Sequence, residues 1–423
     1  MSHAVTRAGT AKIGAAIFVL ALIFRLFMLL WFPLPNMEGV DESEYIALGQ
    51  NLRLHHTFSF GAPHLWGQHG ALNATGPFVP TAARPPLYSL LIATLWWGDA
   101  PPFLSLALAQ VGLGALTALL VYLVALRALG LPVAIVAGLG MALAPESAAY
   151  VVSALTETLY TFLLIAFLLF WGKKQGLLAG LVLGAAVLTR STAVVLVPII
   201  LLMGLAWRFN RTVHLKIVLG ALLAIGPWVA RNYATQHEFT PIANYGWGSV
   251  LFYSTVDVPY WSGNPFTVWL ADKDSAAIFA EAKTIKTAET RLRNAAFERI
   301  AKDPIGYLRN RVTEYPRNFL DHGASYMPII PLPDKIVKIA FLVASLIFVM
   351  LSICGLYLAR KEWQRTYFIA LVPVVFAGMQ FIGAANLRYS IPLVPPMLIF
   401  AALAACHFWT LVPKAGGHRL RSG

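Results

Sequence analysis

Charge is what this sequence holds least of. Of its 423 residues, 12% are Asp, Glu, Lys or Arg against 58% hydrophobic, and the mean hydropathy is +0.68. A water-soluble domain carries about 25% charged residues because its surface must be wetted. Half that share excludes a soluble body of this size and sends the surplus apolar surface to lipid. Acid is scarcer still, with 19 Asp and Glu and a net charge of +13. A basic balance can serve nucleic acid, but the Lys and Arg here stand in short clusters between apolar runs. That is the placement of topology signals and anionic headgroup contacts, and it excludes a nucleic-acid partner. The two cysteines, Cys354 and Cys406, both lie inside apolar runs, which excludes a disulfide framework.

Long hydrophobic runs are plentiful. Crossing a hydrocarbon core of ~30 Å takes about 20 apolar residues. Spans are expected near 13–32, 101–127, 131–149, 154–171, 176–189, 192–207, 215–231, 335–359, 366–385 and 389–412. This is an all-α polytopic membrane protein of about ten spans. The pair 176–189 and 192–207 is short, and one long helix with a re-entrant piece fits it as well. The first run exceeds a signal-peptide core, and Pro33-Leu34-Pro35 is no small-residue cleavage site, so a retained span is expected. Basic residues recur in alternate loops: Arg7 and Lys12, Arg127, Lys173 and Lys174, Arg208, Arg211 and Lys216, Arg360, Lys361 and Arg365, then Lys414, Arg419 and Arg421. By the positive-inside rule both ends face the cytoplasm, with a bacterial inner membrane as the expected location. The division that follows is an N-terminal transmembrane module (1–231) including the outer loop 33–100, an extracytoplasmic region (232–334), and C-terminal spans with a basic tail (335–423). Within the outer segments, Asp41 to Leu54 has an amphipathic period. Pro85 to Trp97 is too short to span and is expected in the interface. A charged helix is expected from Asp272 to Ile300.

Four arginines stand where the orientation rule does not put them: Arg84, Arg190, Arg231 and Arg388. A cation at the membrane surface can simply reach a headgroup, and Arg25, within the first span, is expected to snorkel in that way. Four on one face, without lysines in the short outer loops, also form the planar, bidentate donor set that grips phosphate. On the same side lies Asp41-Glu42. Asp41 with Glu44 reads as a capping box worth about 1 kcal/mol, or Asp41 reads as a base. A sugar leaving on a lipid phosphate, whose second pKa is about 6, needs positive charge rather than a general acid. The acceptor hydroxyl needs a base, so one carboxylate and several guanidinium groups suffice. A transporter or flippase for the same lipid is the competing reading. It calls for charged groups near mid-membrane and for repeats or broken helices, whereas these candidates cluster at one face.

The ordered series Val40-Asp41-Glu42-Ser43-Glu44-Tyr45, Arg84-Pro85-Pro86-Leu87-Tyr88, Leu155-Thr156-Glu157-Thr158-Leu159, Leu188-Thr189-Arg190, Pro227-Trp228-Val229-Ala230-Arg231-Asn232-Tyr233 and Arg388-Tyr389-Ser390-Ile391-Pro392-Leu393 resembles GT-C glycosyltransferases. Among these, protein O-mannosyltransferases and lipid A aminoarabinose transferases are the nearest in pattern. The resemblance implies a GT-C helical bundle with two extracytoplasmic loop regions. It also implies inverting transfer of a sugar from a polyprenyl phosphate to a glycan, lipid or protein acceptor on the outer face. Asp41 would be the base and Glu42 its orienting or acceptor-binding partner. Arg84, Arg190, Arg231 and Arg388 would hold the donor phosphate. Glu157, Tyr45, Tyr88 and Tyr389 would line the sugar or acceptor site, Glu157 alternatively serving as a partner for an arginine; Glu146 has less family support. Against the family pattern, no large folded domain is expected after the last span. A divalent metal is not favoured: Asp41 and Glu42 diverge by about 100° on a helix, and His55, His56, His64 and His69 lack tight ligand spacing.

Overall fold

A computed structural model describes residues 7–32, 34, 39–61, 72–73, 75–258, 268–269, 271–282, 284–320 and 334–411. His64, His69, Ala74 of the Asn73-Ala74-Thr75 sequon, and the tail residues Lys414, Arg419 and Arg421 lie outside them. Helix is the only regular structure among the described residues. In chain order these are α1 (Arg7–Trp31), α2 (Val40–His55), α3 (Leu87–Leu95), α4 (Phe103–Leu129), α5 (Leu131–Ala142), α6 (Pro145–Ala149), α7 (Glu157–Gly172), α8 (Gly176–Thr189), α9 (Leu196–Ala206) and α10 (Arg211–Gln236). The region between α10 and the last spans adds α11 (Trp247–Tyr253), α12 (Lys273–Glu281), α13 (Ile285–Lys302), α14 (Pro304–Glu314) and α15 (Arg317–Leu320). The chain closes with α16 (Asp334–Ala359), α17 (Trp363–Ile382) and α18 (Val394–Leu411).

The protein is an integral, multi-pass membrane protein. Five helical segments are long and apolar enough to cross a bilayer: Arg7–Trp31, Phe103–Leu129, Arg211–Gln236, Ile339–Ile382 and Ile391–Leu411. The pair Leu131–Ala142 and Pro145–Val152, bent by 45°, makes a sixth, and the apolar helices at Glu157–Gly172, Gly176–Thr189 and Ser191–Ala206 are shorter. The segment 339–382 is interrupted by a 3-10 turn at Arg360–Glu362. Each of the ten expected runs therefore contains helix. The single long helix considered for 176–207 does not form: the backbone turns extended at Arg190 (φ −141°, ψ 121°) and re-enters helix through a 3-10 turn at Ser191–Val195.

Small residues set the bundle. In lipid no hydrophobic force drives helices together, so close backbone approach carries the packing. On α8, Gly176, Gly180 and Gly184 repeat every fourth residue and face Val213, Ile217 and Ala221 of α10, a parallel register. A Cβ on Gly180 would stand 2.1 Å from the Ile217 carbonyl oxygen, and one on Gly220 would stand 2.3 Å from that of Leu177. Between α16 and α18 the same device recurs at Gly355, where a Cβ would meet the Phe400 carbonyl oxygen at 1.7 Å.

Helix ends sort to two poles. At one, Arg127 donates from Nε to the Gly172 carbonyl (2.8 Å), and the Tyr367 hydroxyl lies within 3.1 Å of His214 Nε2. This gathers the ends of α4 and α7 with the starts of α10 and α17, and with them the basic loops counted above. The other pole holds the N-terminus of α7, the C-terminus of α8 and the turn before α18. There α2 is buried on every side from Ser43 to Asn51; its amphipathic period hides a helix enclosed between bundle and outer loops. The region between α10 and the last spans packs α11 against α13 through Leu251, Phe252, Leu292 and Ala296. The expected charged helical stretch from about Asp272 to Ile300 is helical as α12 and α13.

Arg25 corrects an expectation. It does not snorkel but is fully buried, lying across Gly114 and donating to the carbonyls of Ala142 (3.0 Å) and Met141 (3.2 Å). The reason is local: α5 ends there, and its last carbonyls need donors and carry the negative end of the helix dipole.

A Gly180→Val variant should lose about 1–3 kcal/mol or more of stability, because the clash is with backbone and no rotamer relieves it. Gly226→Ala, on the same pair of helices but with no atom within 4 Å of the added Cβ, should be neutral. Thermal unfolding in detergent reads both; equal melting temperatures for the two variants would refute the register.

Candidate active site

Four local features aim the charged groups at one point. Asp41 lies in the first turn of α2, whose N-cap is Gly39 with no side-chain cap bond. The capping box therefore does not form, and the carboxylate is free to face the bundle. Arg84 precedes Pro85-Pro86, which disfavours helical backbone before them. Arg190 is thrown out of α8 by its extended backbone, and Arg388 sits on a 3-10 turn at Leu387–Tyr389. That turn is held by Gln380 Nε2 donating to the Tyr389 carbonyl (2.8 Å) and by the Asn386 amide donating to Asn318 Oδ1 (3.0 Å).

The result is a continuous row of alternating charge. Arg84 donates from Nε to Glu44 Oε2 (2.6 Å) and from Nη2 to Asp41 Oδ1. Asp41 Oδ2 accepts from Arg388 Nη1 (2.7 Å). Arg388 Nε donates onward to Glu157 Oε1, which also accepts from Arg190 Nη1 (2.7 Å). Glu157 is fully buried, and its Oε2 has no hydrogen-bond partner. Aromatic rings flank the cations: Tyr245 and Tyr45 lie 4.3 and 5.3 Å from the Arg84 guanidinium, and Tyr389 and Tyr160 lie 5.7 and 5.8 Å from that of Arg190. Among the described residues three guanidinium groups thus face three carboxylates, so the row is balanced.

Asp41, Arg84, Arg190 and Arg388 all line one cavity of about 270 Å³. Tyr45, Tyr160, Tyr245 and Tyr389 line it too, with Leu164, Phe376, Met379, Ile382 and Leu393 as its apolar wall. Burial alone would push the Asp41 carboxyl up, but the Arg84 and Arg388 guanidinium groups outweigh it and hold the group well below the usual carboxylate range. Glu42 is raised, chiefly by burial, and its side chain folds back over Gly39. Arg84 loses by burial but is held well above its ordinary value by Asp41 and Glu44.

Four expected site residues do not line the cavity: Glu42 and Glu157 stand next to residues that do, whereas Arg231 and Tyr88 are engaged elsewhere. Arg231 spends its donors on the Thr81 carbonyl (2.6 Å), Asn232 Oδ1 (3.1 Å) and the Phe58 carbonyl (3.4 Å), beneath the Trp228 ring. It pins loop backbone at Thr81 and Phe58, which the Thr81 N–H also ties together by donating to the Phe58 carbonyl (2.8 Å). Tyr88 is a core residue: it is fully buried, edge-on to Tyr45, and its hydroxyl donates to Gln110 Oε1 (3.0 Å). Conversely, Glu44, whose spacing from Asp41 suggests only a cap, and Tyr245, in the loop Tyr245-Gly246-Trp247-Gly248, both join the site through Arg84. No group of three or more His, Cys, Asp or Glu able to hold a metal occurs among the described residues; His55 stacks on Phe78.

No family model matches the chain, and no curated protein matches its sequence. Solved structures match its fold. The crystal structure of the Archaeoglobus fulgidus oligosaccharyltransferase tethered with an acceptor peptide gives a TM-score of 0.55 at 15% identity, over 94% of this chain and 50% of that one. The archaeal oligosaccharyltransferase AglB of the same organism, in complex with an inhibitory peptide and a dolichol-phosphate, gives 0.53 at 16% identity, over 97% and 52%. ArnT from Cupriavidus metallidurans bound to undecaprenyl phosphate gives 0.41 at 15%, over 95% and 78%. The chain shares the helical fold of the archaeal oligosaccharyltransferase. It spans about half the length of the archaeal structures it matches.

A carboxyl depressed in the folded state contributes stability that is present above its unfolded pKa and is lost as pH falls. Removing Arg84 takes away the larger of the two coulombic influences that depress Asp41. In Arg84→Gln the stability that Asp41 contributes, and that acid removes, should therefore be smaller, and its loss complete at a higher pH, than in the unaltered protein, as read by melting temperature across an acid pH series. Coincident curves would show that the pairing contributes nothing.

Proposed function

We propose that the protein transfers a sugar from a polyprenyl-phosphate-linked donor to an acceptor hydroxyl, on the side of the membrane to which the cavity opens. The observation that carries this is the Asp41 carboxylate held between Arg84 and Arg388 on the wall of a largely apolar cavity. The fold shared with oligosaccharyltransferases supports it. The donor phosphate docks on Arg84, Arg388 and Arg190, whose planar forks suit it, while the first isoprene units lie on the apolar wall.

Chemistry follows from one exchange. The incoming phosphate takes guanidinium bonds that Asp41 held, and the carboxylate, no longer depressed by them, becomes a better base. The acceptor oxygen attacks the anomeric carbon as its proton passes to Asp41. The bond from that carbon to the phosphate oxygen breaks, its electron pair leaving on the phosphate, where Arg84, Arg190 and Arg388 stabilise it. A single displacement inverts the anomeric centre. Glu42, raised by burial, borders Asp41 and orients the acceptor; Glu157 holds Arg190 and Arg388 in place. A flippase for the same lipid would carry its charged groups near mid-membrane, whereas this row lies at one pole.

Asp41→Ser in proteoliposomes should leave a folded, monodisperse protein whose transfer falls by ~10²-fold or more, the range of a lost general base. Arg84→Lys and Arg388→Lys should weaken donor binding roughly tenfold by losing the fork while keeping charge. Mass spectrometry of co-purifying lipid, expected to find a polyprenyl phosphate, supplies the donor for the assay. Full transfer by Asp41→Ser would remove the aspartate from the chemistry.

A further inference from the structure

The pole remote from Asp41 holds a second cavity, of about 550 Å³. It lies beyond the far end of α7, about 24 Å from Glu157 at 1.5 Å per residue, and shares no lining residue with the first. Three cations line it, Arg127, Lys174 and Arg365, and no acidic side chain does. One carboxylate, that of Glu362, reaches Arg365 at 3.6 Å; both groups are exposed, so the pair is screened and weak. Arg127 is fixed in place by its Nε bond to the Gly172 carbonyl (2.8 Å).

Below these cations the wall is aromatic. Tyr367 stands edge-on to Trp171 (5.8 Å between ring centres) and to Phe209 (6.0 Å). Its hydroxyl is anchored by Asn210 Nδ2 (3.4 Å) and His214 Nε2 (3.1 Å), so the wall is built before anything binds. Cations over aromatic rings at the end of a membrane bundle complement an amphiphile with an anionic head and an apolar body. A soluble anion would leave the aromatic wall without a purpose.

We infer that this cavity binds an anionic phospholipid. Its phosphate lies among Arg127, Lys174 and Arg365, and the upper part of its acyl chains lies on Trp171, Phe209 and Tyr367. The site is independent of sugar transfer and of the donor lipid.

Native mass spectrometry of the delipidated full chain, titrated with phosphatidylglycerol or phosphatidylcholine, tests it. Phosphatidylglycerol should bind roughly tenfold or more tightly than phosphatidylcholine, given about 1 kcal/mol for each cation near a headgroup. The combined variant Arg127→Gln, Lys174→Gln and Arg365→Gln should lose that preference. Arg365→Glu, a change at an exposed residue paired only with Glu362, should reduce it while leaving circular dichroism and elution unchanged. The inference is overturned if phosphatidylcholine binds as well as phosphatidylglycerol or if the combined variant keeps the preference. It is equally overturned if inorganic phosphate displaces the lipid, or if a polyprenyl phosphate outcompetes phosphatidylglycerol there.

Discussion

Buried guanidinium groups cannot stand alone in a membrane protein, and this requirement shapes the pole around Asp41. Each of Arg84, Arg388 and Arg190 is mostly shielded from water and takes a carboxylate from a different helix or turn. Because Asp41 gives one oxygen to each of two arginines, it ties the outer loop to the turn before α18. Glu157, giving one oxygen to two arginines, ties that turn to α8. An uncompensated charge here would cost several kcal/mol; the alternation avoids it and leaves the row neutral. Neutrality also means that a phosphate entering the cavity must compete with carboxylates already in place. Binding and activation of the base are thereby one event in the proposed reaction.

The row could not form without the bundle that presents it. Four of its members stand at helix ends or on turns, so their positions depend on where those helices start, stop and cross. The glycine register between α8 and α10 fixes the end of α8, from which Arg190 departs. The Gln380 and Asn318 bonds fix the turn that carries Arg388. At the same pole Glu289 accepts the backbone N–H groups of Gly248 (2.7 Å) and Ser249 (3.3 Å). It thus caps α11, and with it the loop that brings Tyr245 onto Arg84. The arginine fork is specific only because backbone packing removes the freedom of the chain around it.

Much of this was legible in the residues. Apolar runs locate every helix of the bundle because the lipid imposes their composition, and the order of short motifs places Asp41, Arg84, Arg190, Glu157 and Arg388 at one pole. What composition does not reveal is who pairs with whom. Arg231 has the same residue type as Arg190, but it lies inside α10, which runs on to Gln236, and its partners are loop carbonyls and the neighbouring Asn232 side chain. Arg25 fails in the same way: the carbonyls that hold it belong to α5, more than a hundred residues away. Asp41 and Glu44 have the spacing of a cap, and only the position of Gly39 shows that both instead serve Arg84. Tyr88 belongs to a recognisable motif but faces Gln110, because the rotation of a nine-residue helix is set by packing rather than by its own pattern.

Competition between a carboxylate and a phosphate for the same two guanidinium groups has an unusual signature. Donor affinity should be compared by titrating a polyprenyl phosphate into the protein and into Asp41→Asn, in the same detergent. Sharing of Arg84 and Arg388 predicts that the variant binds the lipid several-fold more tightly while it no longer transfers sugar. Equal or weaker binding by Asp41→Asn would contradict it, and the arginine row would then be a structural tie between helices.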